Sequence, residues 1–330
     1  MSFNNLKCVI ELGNINIKCI IYVLQNDKLE ILSTSIFPSN GIHNGVVINL
    51  EKASKSIRSC ISETEKKADT SIKKINVIIE QHEFLCTKFS KHRKINGSQI
   101  QKEDIDFLLN EGKKQVTLND SKQSIIHIFN HNYIVDGKTF IEEPIDVYAD
   151  YLSHEMTFIT MPKNNIKNIN QAFIDCDIEV ERIISSTFAL AAKLLSSREL
   201  QLGSTLIDIG YEKISLGLFK NLALVHSATL PLGVNHITKD ISRVCSLDLE
   251  DSEIIRNKID FSFQNNQTLF DKEGYLKNIY FKNSEFRKIS KKLIFDIAKA
   301  RLDEIFEMLK KQMILTNIED IFIVGGGSNL

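Results

Sequence analysis

The N-terminal part of the chain alternates short apolar runs with turn residues. Three of these runs predict strands, at Cys8–Leu12, Ile17–Leu24 and Leu29–Ile36. Gly13 separates the first two strands, and the Asn26-Asp27 pair separates the second from the third. Because these connections are short, we expect a meander in which each strand pairs with the next.

A helix is predicted after the meander, from about Leu50 to Ala68. Apolar or small side chains recur there at steps of about four and form one stripe, at Ala53, Ile57, Ile61, Thr64 and Ala68. A short apolar strand follows at Ile75–Glu80. Strands and a helix in this succession are typical of an α/β fold.

The same succession recurs in the second half of the chain. Predicted strands lie at Thr205–Ile209, Ile214–Phe219 and Leu222–Leu230, and a helix follows with Ile237, Ile241 and Val244 on one face. Glu11-Leu12-Gly13 aligns with Asp208-Ile209-Gly210, and Ile17 aligns with Ile214. A repeated meander and helix indicates an internally duplicated fold with two lobes.

The segment between the repeats has a different pattern and is predicted to be an inserted subdomain at about residues 82–161. Its predicted elements are a helix at Lys102–Val116, strands at Ser124–Tyr133 and Thr157–Thr160, and a turn at Val135-Asp136-Gly137. The basic run Lys88–Lys94 has two interpretations, a nucleic-acid patch or a solvated edge of this subdomain. Only one aromatic residue, Phe89, interrupts the run, which favours the solvated edge.

Two helices, a polar lobe and a long helix complete the chain. The two helices are predicted at about Asn164–Asp175 and Thr187–Ser197, and Asp251–Glu285 is polar enough to form a small lobe of its own. The long helix is predicted at about Phe286–Met313, with a buried face at Ile289, Leu293, Ile297, Ile305 and Leu309. A strand at Ile321–Val324 then leads into Gly325-Gly326-Gly327.

Composition narrows the function classes. The 330 residues are 43% hydrophobic and 25% charged with a net charge of -1, which is typical of a globular protein and does not indicate bulk attraction to nucleic acid. The six cysteines lack metal-ligand spacing and are predicted to be buried, reduced thiols. There is no signal peptide and no apolar run that could span a bilayer, so the expected location is cytoplasmic. The last strand would leave an open edge, so we expect a further tail after Leu330.

Both meanders carry an acidic residue and a glycine at their first bend, Glu11 and Gly13 in the first and Asp208 and Gly210 in the second. Glycine lets backbone N–H groups approach a phosphate closely, and an acidic residue at a strand end can hold Mg²⁺ through water. Gly325-Gly326-Gly327 would let a flat adenosine lie against bare backbone. Each motif alone is a common turn, but the three in this order indicate two phosphate loops and an adenosine loop lining one cleft.

This order of motifs resembles the actin-like ATPase superfamily, which includes MreB, the DnaK chaperones and the sugar kinases. Within it, the block Pro38–Ala53 (PSNGIHNGVVINLEKA) resembles the link between meander and helix in the FtsA family. Further matches are Tyr133–Gly137, Glu143-Pro144, Pro231–Gly233 and Ile237–Ile241. The resemblance extends from Lys7 to Gly327. It implies an actin-like, two-lobed α/β fold, a duplicated ribonuclease H-like fold, with the IC subdomain that FtsA carries between its repeats.

The resemblance also implies domain bounds. The core of the first lobe, IA, is expected at residues 1–81 and 162–198, with IC at 82–161 between them. The core of the second lobe, IIA, is expected at 199–247 and 287–330, with the IIB subdomain at 248–286.

By the same resemblance, three loops and the long helix carry candidate nucleotide and Mg²⁺ residues. They are Glu11, Gly13 and Asn14 in the first phosphate loop, Asp208 and Gly210 in the second, Gly325, Gly326 and Gly327 in the adenosine loop, and Arg301 and Glu304 on the helix. For Arg301 and Glu304, an exposed i,i+3 ion pair is an equal alternative. The implied cofactors are ATP and Mg²⁺, with no catalytic residue and no direct protein ligand to a metal.

The second phosphate loop departs from the family pattern, which continues with glycine and threonine after Gly210. Tyr211 is bulky where backbone should approach phosphate, and Glu212 adds like charge. A carboxylate about 4 Å from a phosphate charge costs about 4 kcal/mol at an effective dielectric of about 20. Lys213 or Mg²⁺ could offset that cost. We therefore expect weak ATP binding and, at most, a weak or degenerate ATPase.

The leading hypothesis for function is a cell-division adaptor. FtsA-like proteins bind the C-terminal peptide of FtsZ, the cell-division tubulin homologue, on their IIB lobe, and the expected contacts here are Arg287, Lys288 and Lys291. The resemblance also implies actin-like filaments, contacts to later divisome proteins through IC, and a location at the inner face of the membrane at the septum. Membrane attachment in the family uses a C-terminal amphipathic helix, which this sequence does not show. No nucleic-acid partner is expected.

Two alternatives stay open. A PilM-like adaptor of type IV pilus assembly has the same insertion and binds a short peptide of a pilus membrane protein, although the Pro38–Ala53 block favours FtsA. An ATP-dependent enzyme such as a sugar kinase would need a sugar-site base and intact phosphate loops, and the sequence shows neither.

Overall fold

The computed structural model describes residues 6–25, 28–259, 268–280, 288–313 and 320–328. The chain forms two compact units. The first consists of Met1–Leu206, Gly217–Thr229 and Ile318–Ile321, and the second of Ile207–Leu216, Leu230–Asn317 and Phe322–Leu330. Each unit has a hydrophobic core of its own.

The first repeat forms a sheet with a helix packed on it. Its elements are β1 (Leu6–Leu12), β2 (Asn16–Gln25), β3 (Lys28–Pro38), the short hairpin β4 (Ile42–His43) and β5 (Val46–Val47), α1 (Leu50–Ala68) and β6 (Lys74–Ile79). β1, β2 and β3 form the predicted antiparallel meander, and β6 pairs in parallel with β1. One face of these strands packs against α1 in the core of the first unit.

Helix α1 has the predicted bounds because its capping residues and its apolar stripe agree. Asn49 precedes the helix, and its side chain accepts a hydrogen bond from the Lys52 amide at 2.9 Å. Asp69 follows the helix in the left-handed conformation that commonly ends a helix. The buried stripe includes Ala53, Ile57, Ile61 and Thr64.

The inserted subdomain is an antiparallel sheet with one helix. Its elements are β7 (Leu85–Gln99), α2 (Lys102–Asn119), β8 (Gln123–Val135), β9 (Lys138–Phe140) and β10 (Tyr148–Pro162), in the strand order β7-β10-β8-β9. β7 contains the basic run and lies at the sheet edge, where the solvated-edge interpretation expected it. The strand predicted at Thr157–Thr160 was too short, because the polar first half of β10 is held between β7 and β8.

After the insertion the chain returns to the first sheet. α3 (Lys163–Ile174) leads to β11 (Glu179–Ser185), which pairs in parallel with β6 and completes the order β11-β6-β1-β2-β3. The single helix predicted at Thr187–Ser197 was wrong, because two helices occupy this region, α4 (Ser186–Leu194) and α5 (Ser197–Leu202). The chain breaks between them because Leu195 is extended and Ser196 starts a capping box.

The second repeat reproduces the strand order of the first. Its elements are β12 (Ser204–Ile209), β13 (Ile214–Lys220), β14 (Ala223–Leu230), α6 (Val234–Cys245), α7 (Leu249–Lys258), α8 (Lys291–Met313) and β15 (Asp320–Val324). The order β14-β13-β12-β15 matches β3-β2-β1-β6, and α6 follows β14 as α1 follows β3. The predicted duplication is therefore confirmed at the level of topology.

Helices α6, α7 and α8 share the core of the second unit. Ile237 and Ile241 are buried there, but Val244 is 53% exposed, so the predicted apolar face of α6 was one residue too wide. The buried residues of α8 are Ile294, Phe295, Ala298, Ile305 and Leu309. Leu293 was predicted to be buried but is 40% exposed, because Ile294 and Phe295 turn toward the core instead. The predicted helix start at Phe286 lies outside the described residues.

Two further observations concern the whole described chain. All six cysteines are free thiols, and five of them are buried as predicted, while Cys86 is only half-buried. No helix within the described ranges is long and apolar enough to cross a bilayer.

Candidate nucleotide site

Both predicted phosphate loops are tight turns between the first two strands of a repeat. A Cβ atom on Gly13 would lie 2.5 Å from the Asn16 carbonyl oxygen, and one on Gly210 would lie 2.8 Å from the Lys213 carbonyl oxygen. Any other residue would therefore force either turn to open. The correspondence between the repeats extends to the geometry of these two bends.

The acidic residue of the first loop is engaged on the sheet surface. Glu11 lies opposite Lys18 in the β1–β2 ladder, and its carboxylate is 3.0 Å from Lys18 Nζ. Both side chains are about half exposed, at 42% and 51%. Exposed pairs of this kind contribute little to stability, so Glu11 can exchange this partner for another at small cost.

Asn14 ties the first loop to the β4–β5 hairpin. Its Nδ2 donates to Asn44 Oδ1 at 2.9 Å, and its Oδ1 accepts from the Asn44 amide at 2.7 Å. Both ends of the Asn14 amide group are thus used within the protein. Its predicted contact with a nucleotide stays a prediction.

A buried polar network behind the first loop was missed by the sequence analysis. Glu80, the residue after β6, is 1% exposed. The donors to its Oε2 are the hydroxyls of Ser185, Ser186 and Thr187 and the amide of Thr187, at 2.8 to 3.2 Å. The neighbouring Gln81 donates to the Gly45 carbonyl oxygen and so joins the network to the hairpin that Asn14 holds.

The second loop is fixed to the start of α6. The Val234 amide donates to the Gly210 carbonyl oxygen at 3.1 Å, and the Asn235 amide donates to the Tyr211 carbonyl oxygen at 2.8 Å. A helix leaves such amides unpaired at its N-terminus, so the loop caps α6. A Cβ atom on Gly233 would overlap the Tyr211 carbonyl group, which shows how closely the two segments pack.

The charge of Glu212 is compensated by α6. Asn235 Nδ2 donates to one carboxylate oxygen at 2.6 Å, and Lys239 Nζ lies 3.4 Å from the other. The Glu212 side chain is only 15% exposed, so it depends on these partners. Lys239, which the sequence analysis did not consider, therefore supplies a positive charge beside the second loop.

The side chain of Tyr211 reaches helix α7. Its Oη lies 3.5 Å from Glu253 Oε2, and the other Glu253 oxygen is 3.2 Å from Arg256 Nη2. Burial and the Glu253 charge raise the pKa of Tyr211. Arg256 is 4% exposed, and its Nε has no partner among the described residues. Glu253 and Arg256 were not predicted from the sequence, although their i,i+3 spacing just after the second repeat was an available signal.

The glycine loop Gly325–Gly327 lies on the end of β12. Gly325 has a φ of 96°, in the region that favours glycine, and a Cβ atom there would overlap the Asp208 carboxylate. The Gly327 amide donates to the Ile209 carbonyl oxygen at 2.9 Å. A Cβ atom on Gly326 would meet nothing within 4 Å, so this part of the backbone faces open space. The second unit thus brings Asp208, Gly210 and the glycine loop together.

Arg301 and Glu304 form the i,i+3 ion pair that one of the two interpretations predicted. Arg301 Nε also lies 2.7 Å from Asp240 Oδ2 on α6, and this hydrogen bond raises the pKa of Arg301. The three side chains join α8 to α6. A role for Arg301 and Glu304 at the base or ribose stays a prediction.

The residues predicted to bind an FtsZ peptide lie near the start of α8. Lys288 Nζ is 4.8 Å from the Tyr275 ring centroid and 3.6 Å from the Glu273 carboxylate. The side chains of Lys288 and Glu273 are 67% and 72% exposed, so a partner can reach them. Lys291 is the first residue of α8, and Arg287 lies outside the described residues.

Two family models match separate parts of the chain. Residues 83–160 match the SHS2 domain inserted in FTSA, and residues 205–326 match cell division protein FtsA. The first match falls on the inserted subdomain, and the second contains the second repeat and the glycine loop. Together they cover more than half of the chain.

Curated proteins give the same result along nearly the whole chain. Cell division protein FtsA of Buchnera aphidicola subsp. Schizaphis graminum is 28% identical over 309 residues, which are 92% of this chain and 72% of that protein. Cell division protein FtsA of Bacillus subtilis is 26% identical over 336 residues, which are 99% of this chain and 74% of that protein.

Solved structures establish the fold. The PilM-PilN type IV pilus biogenesis complex matches with a TM-score of 0.66 and 14% identity, over 98% of this chain and 82% of that one. MreB5 of Spiroplasma citri bound to ADP matches with a TM-score of 0.50 and 12% identity, over 99% of this chain and 86% of that one. The fold is therefore the actin-like ATPase fold, as predicted. Because the insertion and the second repeat both match FtsA models, and curated FtsA proteins align along the chain, this chain belongs to the FtsA family.

Proposed function

We propose that this chain is a cell-division adaptor that links FtsZ filaments to the membrane and to the divisome. The observation that carries the proposal is an FtsA-type insertion at residues 83–160 combined with an FtsA match at 205–326 on a duplicated actin-like fold. The proposed lobes are IA at 1–81 and 162–198, IC at 82–161, IIA at 199–247 and 287–330, and IIB at 248–286.

The proposed nucleotide is ATP with Mg²⁺, bound weakly. The glycine turns and the open backbone at Gly326 suit phosphates and a flat base, and a neighbour of the same fold, MreB5, is bound to ADP. The negative charge of Glu212 repels an anionic ligand. The half-exposed Lys239 offsets only part of the Glu212 charge. Mg²⁺ would supply further positive charge at the phosphates. Within the described residues no group of three or more His, Cys, Asp or Glu side chains could hold a metal ion.

The proposed FtsZ site is the start of α8 with the segment before it. The accessible Lys288 and its neighbours Arg287 and Lys291 give this region a positive charge that suits an acidic peptide. The ion pair between Lys288 and Glu273 is exposed and weak, so a peptide carboxylate can replace Glu273 at small cost.

Charge reversal tests this site. We expect Arg287→Glu with Lys288→Glu to weaken binding of a labelled FtsZ C-terminal peptide by about tenfold or more, measured by fluorescence anisotropy. The control is Lys52→Glu with Lys66→Glu, which makes the same change of charge on exposed positions of α1. Unchanged affinity after the first change, or an equal loss after the second, would reject the site.

Later divisome proteins are proposed to bind beside the inserted subdomain. A cavity of about 600 Å³ lies between the first residues of β8 and strand β11. β11 is the outer strand of its sheet, and β9 covers β8 only at Tyr133–Val135. Two unpaired strand edges on either side of a cavity suit an extended peptide that adds backbone hydrogen bonds.

A PilM-like pilus adaptor is the second candidate, and the similarity to the PilM-PilN complex favours it at the level of fold. Binding assays with an FtsZ tail peptide and with a pilus membrane-protein peptide, run in parallel, separate the two functions. Our proposal requires binding of the first peptide, and selective binding of the second would favour the pilus adaptor.

We also propose that the chain self-associates into actin-like filaments and acts at the inner face of the membrane at the septum. The duplicated actin-like fold supports the first of these statements, and the similarity to cell division protein FtsA supports the second. Electron microscopy of the chain with FtsZ and ATP, and a fluorescent fusion in dividing cells, test these two statements.

A further inference from the structure

A cavity of about 330 Å³ lies in the first unit, between the inserted subdomain and strand β14. Its walls come from the neighbouring strands β7, β10 and β8 of the insertion and from β14. The lining includes Lys88, Ser90, His131, Glu155, Thr157 and Val225. None of these residues lines the cavity proposed for divisome proteins or belongs to the proposed FtsZ or nucleotide site. The volume is at the lower end of the range for ligand pockets, so a small molecule fits it better than a peptide segment.

His131 enters the cavity wall because it is the extra residue of a β-bulge in β8. Glu155 of β10 lies opposite Asn132 of β8. The next residue of β10, Met156, lies opposite Asn130, so His131 has no opposite residue in this described ladder. A bulge turns the extra side chain out of the regular alternation, and bulges are common beside functional sites. The bulge is therefore a local feature of the strand that serves the cavity.

The imidazole of His131 offers a hydrogen-bond acceptor to the cavity. Burial lowers the pKa of His131, so the ring is neutral near neutral pH. Nδ1 is buried and has no partner among the described residues, so the hydrogen bond between the ring and the Lys220 backbone must use Nε2. That bond favours the protonated ring, which shows that Nε2 donates to the carbonyl oxygen. The lone pair of Nδ1 is left for a donor from a ligand.

Two opposite charges line the cavity without pairing with each other. Lys88 lies opposite Thr157 across the β7–β10 ladder, and the next residue on the same face of β7, Ser90, lies opposite Glu155. Lys88 and Glu155 are therefore diagonal neighbours on one face, at a spacing that long side chains can bridge. Nevertheless, no ion pair joins Lys88 to a carboxylate in the described ranges. Glu155 accepts only a neutral donor there, Asn132 Nδ2 at 3.1 Å.

We propose that this cavity binds a free α-amino acid with a small, neutral side chain. Its carboxylate accepts from Lys88, and its ammonium group donates to Glu155 and to His131 Nδ1. The aliphatic Val225 contacts the side chain of the amino acid. A free amino acid suits the cavity because it carries both charges on neighbouring groups. An amine or a carboxylic acid alone would leave one of the two protein charges without a partner.

The ligand would also strengthen a contact between distant parts of the sequence. The turn after β13 already touches the insertion, since Asn221 Nδ2 donates to Asn132 Oδ1 at 2.6 Å. An amino acid held by Lys88 of β7 and Val225 of β14 adds contacts between the same two segments. Occupancy of the cavity therefore holds the insertion on the second repeat, and we expect it to raise the melting temperature of the chain.

The first test compares ligands on the unmodified full chain by isothermal titration calorimetry. We expect L-valine to bind with a Kd of about 1 mM or lower. The methyl ester of valine lacks the carboxylate, and N-acetyl-valine lacks the ammonium group. Each should bind about tenfold more weakly, because it loses one charge-assisted hydrogen bond. This comparison does not depend on the folding of any variant.

The second test changes the two charges of the cavity. Lys88→Gln and Glu155→Gln each keep a hydrogen-bonding group and remove a charge, and each should weaken L-valine binding about tenfold. His131→Phe removes the acceptor nitrogen and should weaken binding as well. The matched control is Lys91→Gln, on the same strand as Lys88 but outside the cavity lining, which should leave the Kd unchanged.

The opposite results would overturn the proposal. Absence of L-valine binding, or equal binding of the methyl ester and the N-acetyl derivative, would show that the cavity does not select both charges. Unchanged affinity in Lys88→Gln and Glu155→Gln would show that valine binds elsewhere. An equal loss in Lys91→Gln would show that the loss does not come from the cavity.

Discussion

Several polar residues in this protein are buried where a sequence pattern would place apolar ones, and Glu80 is the clearest case. It follows the apolar strand β6 and was predicted from the sequence to be the last residue of that strand. The structure surrounds it with hydroxyl and amide donors from Ser185, Ser186 and Thr187. These donors are more than a hundred residues away in sequence. Only the tertiary fold could therefore show that Glu80 has partners.

Replacing Glu80 should destabilise the first unit. Glu80→Ala leaves several buried donors without an acceptor, and we expect a loss of about 3 kcal/mol in the free energy of unfolding. Urea denaturation measures it, with Glu83→Ala at an exposed neighbouring position as the control, for which we expect a change below about 0.5 kcal/mol. A loss for Glu80→Ala no larger than that of the control would contradict the network.

His154 in the inserted subdomain should make stability depend on pH. It is fully buried and stacked on Tyr133 at 4.3 Å, and neither ring nitrogen has a partner among the described residues. Burial lowers the pKa of His154 to about 4, below the value of about 6.5 in an unfolded chain. The unfolded state therefore binds the proton first. The contribution of neutral His154 to the free energy of unfolding is therefore fully present above a pH of about 6.5. It is lost as the pH falls toward about 4.

The variant His154→Phe keeps an aromatic ring stacked on Tyr133 and removes the imidazole that takes up the proton. We expect it to recover about 2 kcal/mol of the stability lost between pH 7 and pH 5, measured by urea denaturation at both values. The control is His82→Phe, which makes the same substitution at an exposed position. Burial also lowers the pKa of His127 to about 4, so part of the dependence should remain in His154→Phe. An unchanged dependence would show that His154 does not titrate as inferred.

At the scale of elements, local signals predicted a helix or strand well where they agreed with packing. Helix α1 has a capping residue, an apolar stripe and a left-handed end, and its bounds were predicted correctly. β7 was missed because an exposed edge strand rich in lysine lacks a strong apolar pattern. The break between α4 and α5 was missed because the helical pattern continues through Leu195, while Ser196 caps a new helix.

In the candidate site, the glycine turns could be predicted from the sequence. The partners of Glu212 on α6 and of Tyr211 on α7 could not be predicted, because only folding brings these residues close together.

The second loop and α6 should act together on nucleotide affinity. Glu212→Gln keeps an acceptor for Asn235 and removes a negative charge, so we expect ATP to bind up to about tenfold more tightly. Lys239→Gln removes the compensating charge and should weaken binding by a similar factor. Titration of a fluorescent ATP analogue with Mg²⁺ measures both, and Arg243→Gln in the last turn of α6 is the control. If Glu212→Gln weakened binding, the carboxylate would contribute to the site instead of opposing it.

At the scale of the whole molecule, the duplication was predictable because weak signals occurred twice in the same order. Neither acid-x-glycine turn is specific alone, but the meander, turn and helix around each reinforce one another, and the strand order confirms the repeat. The structural differences between the two repeats could not be predicted from the sequence. The strand pattern of the first repeat does not indicate that Leu29 and Ile31 are exposed in the described part of the chain, because the same apolar residues would fit a buried face. Exposure is a property of the assembled layers.

Because each unit has its own core, damage to one core should remain within that unit. Ile57 is buried on α1 in the first core, and Ile241 is buried on α6 in the second. Ile57→Ala and Ile241→Ala each remove buried side-chain volume and should each cost about 3 kcal/mol. Hydrogen exchange measured by mass spectrometry should then rise in β1, β2, β3 and α1 for Ile57→Ala, and in α6, α7 and α8 for Ile241→Ala. The paired variants control for each other, since they make the same chemical change at equally buried sites. If both variants raised exchange in the same peptides, the two units would unfold as one cooperative body, and the duplicated fold would behave as a single domain in solution.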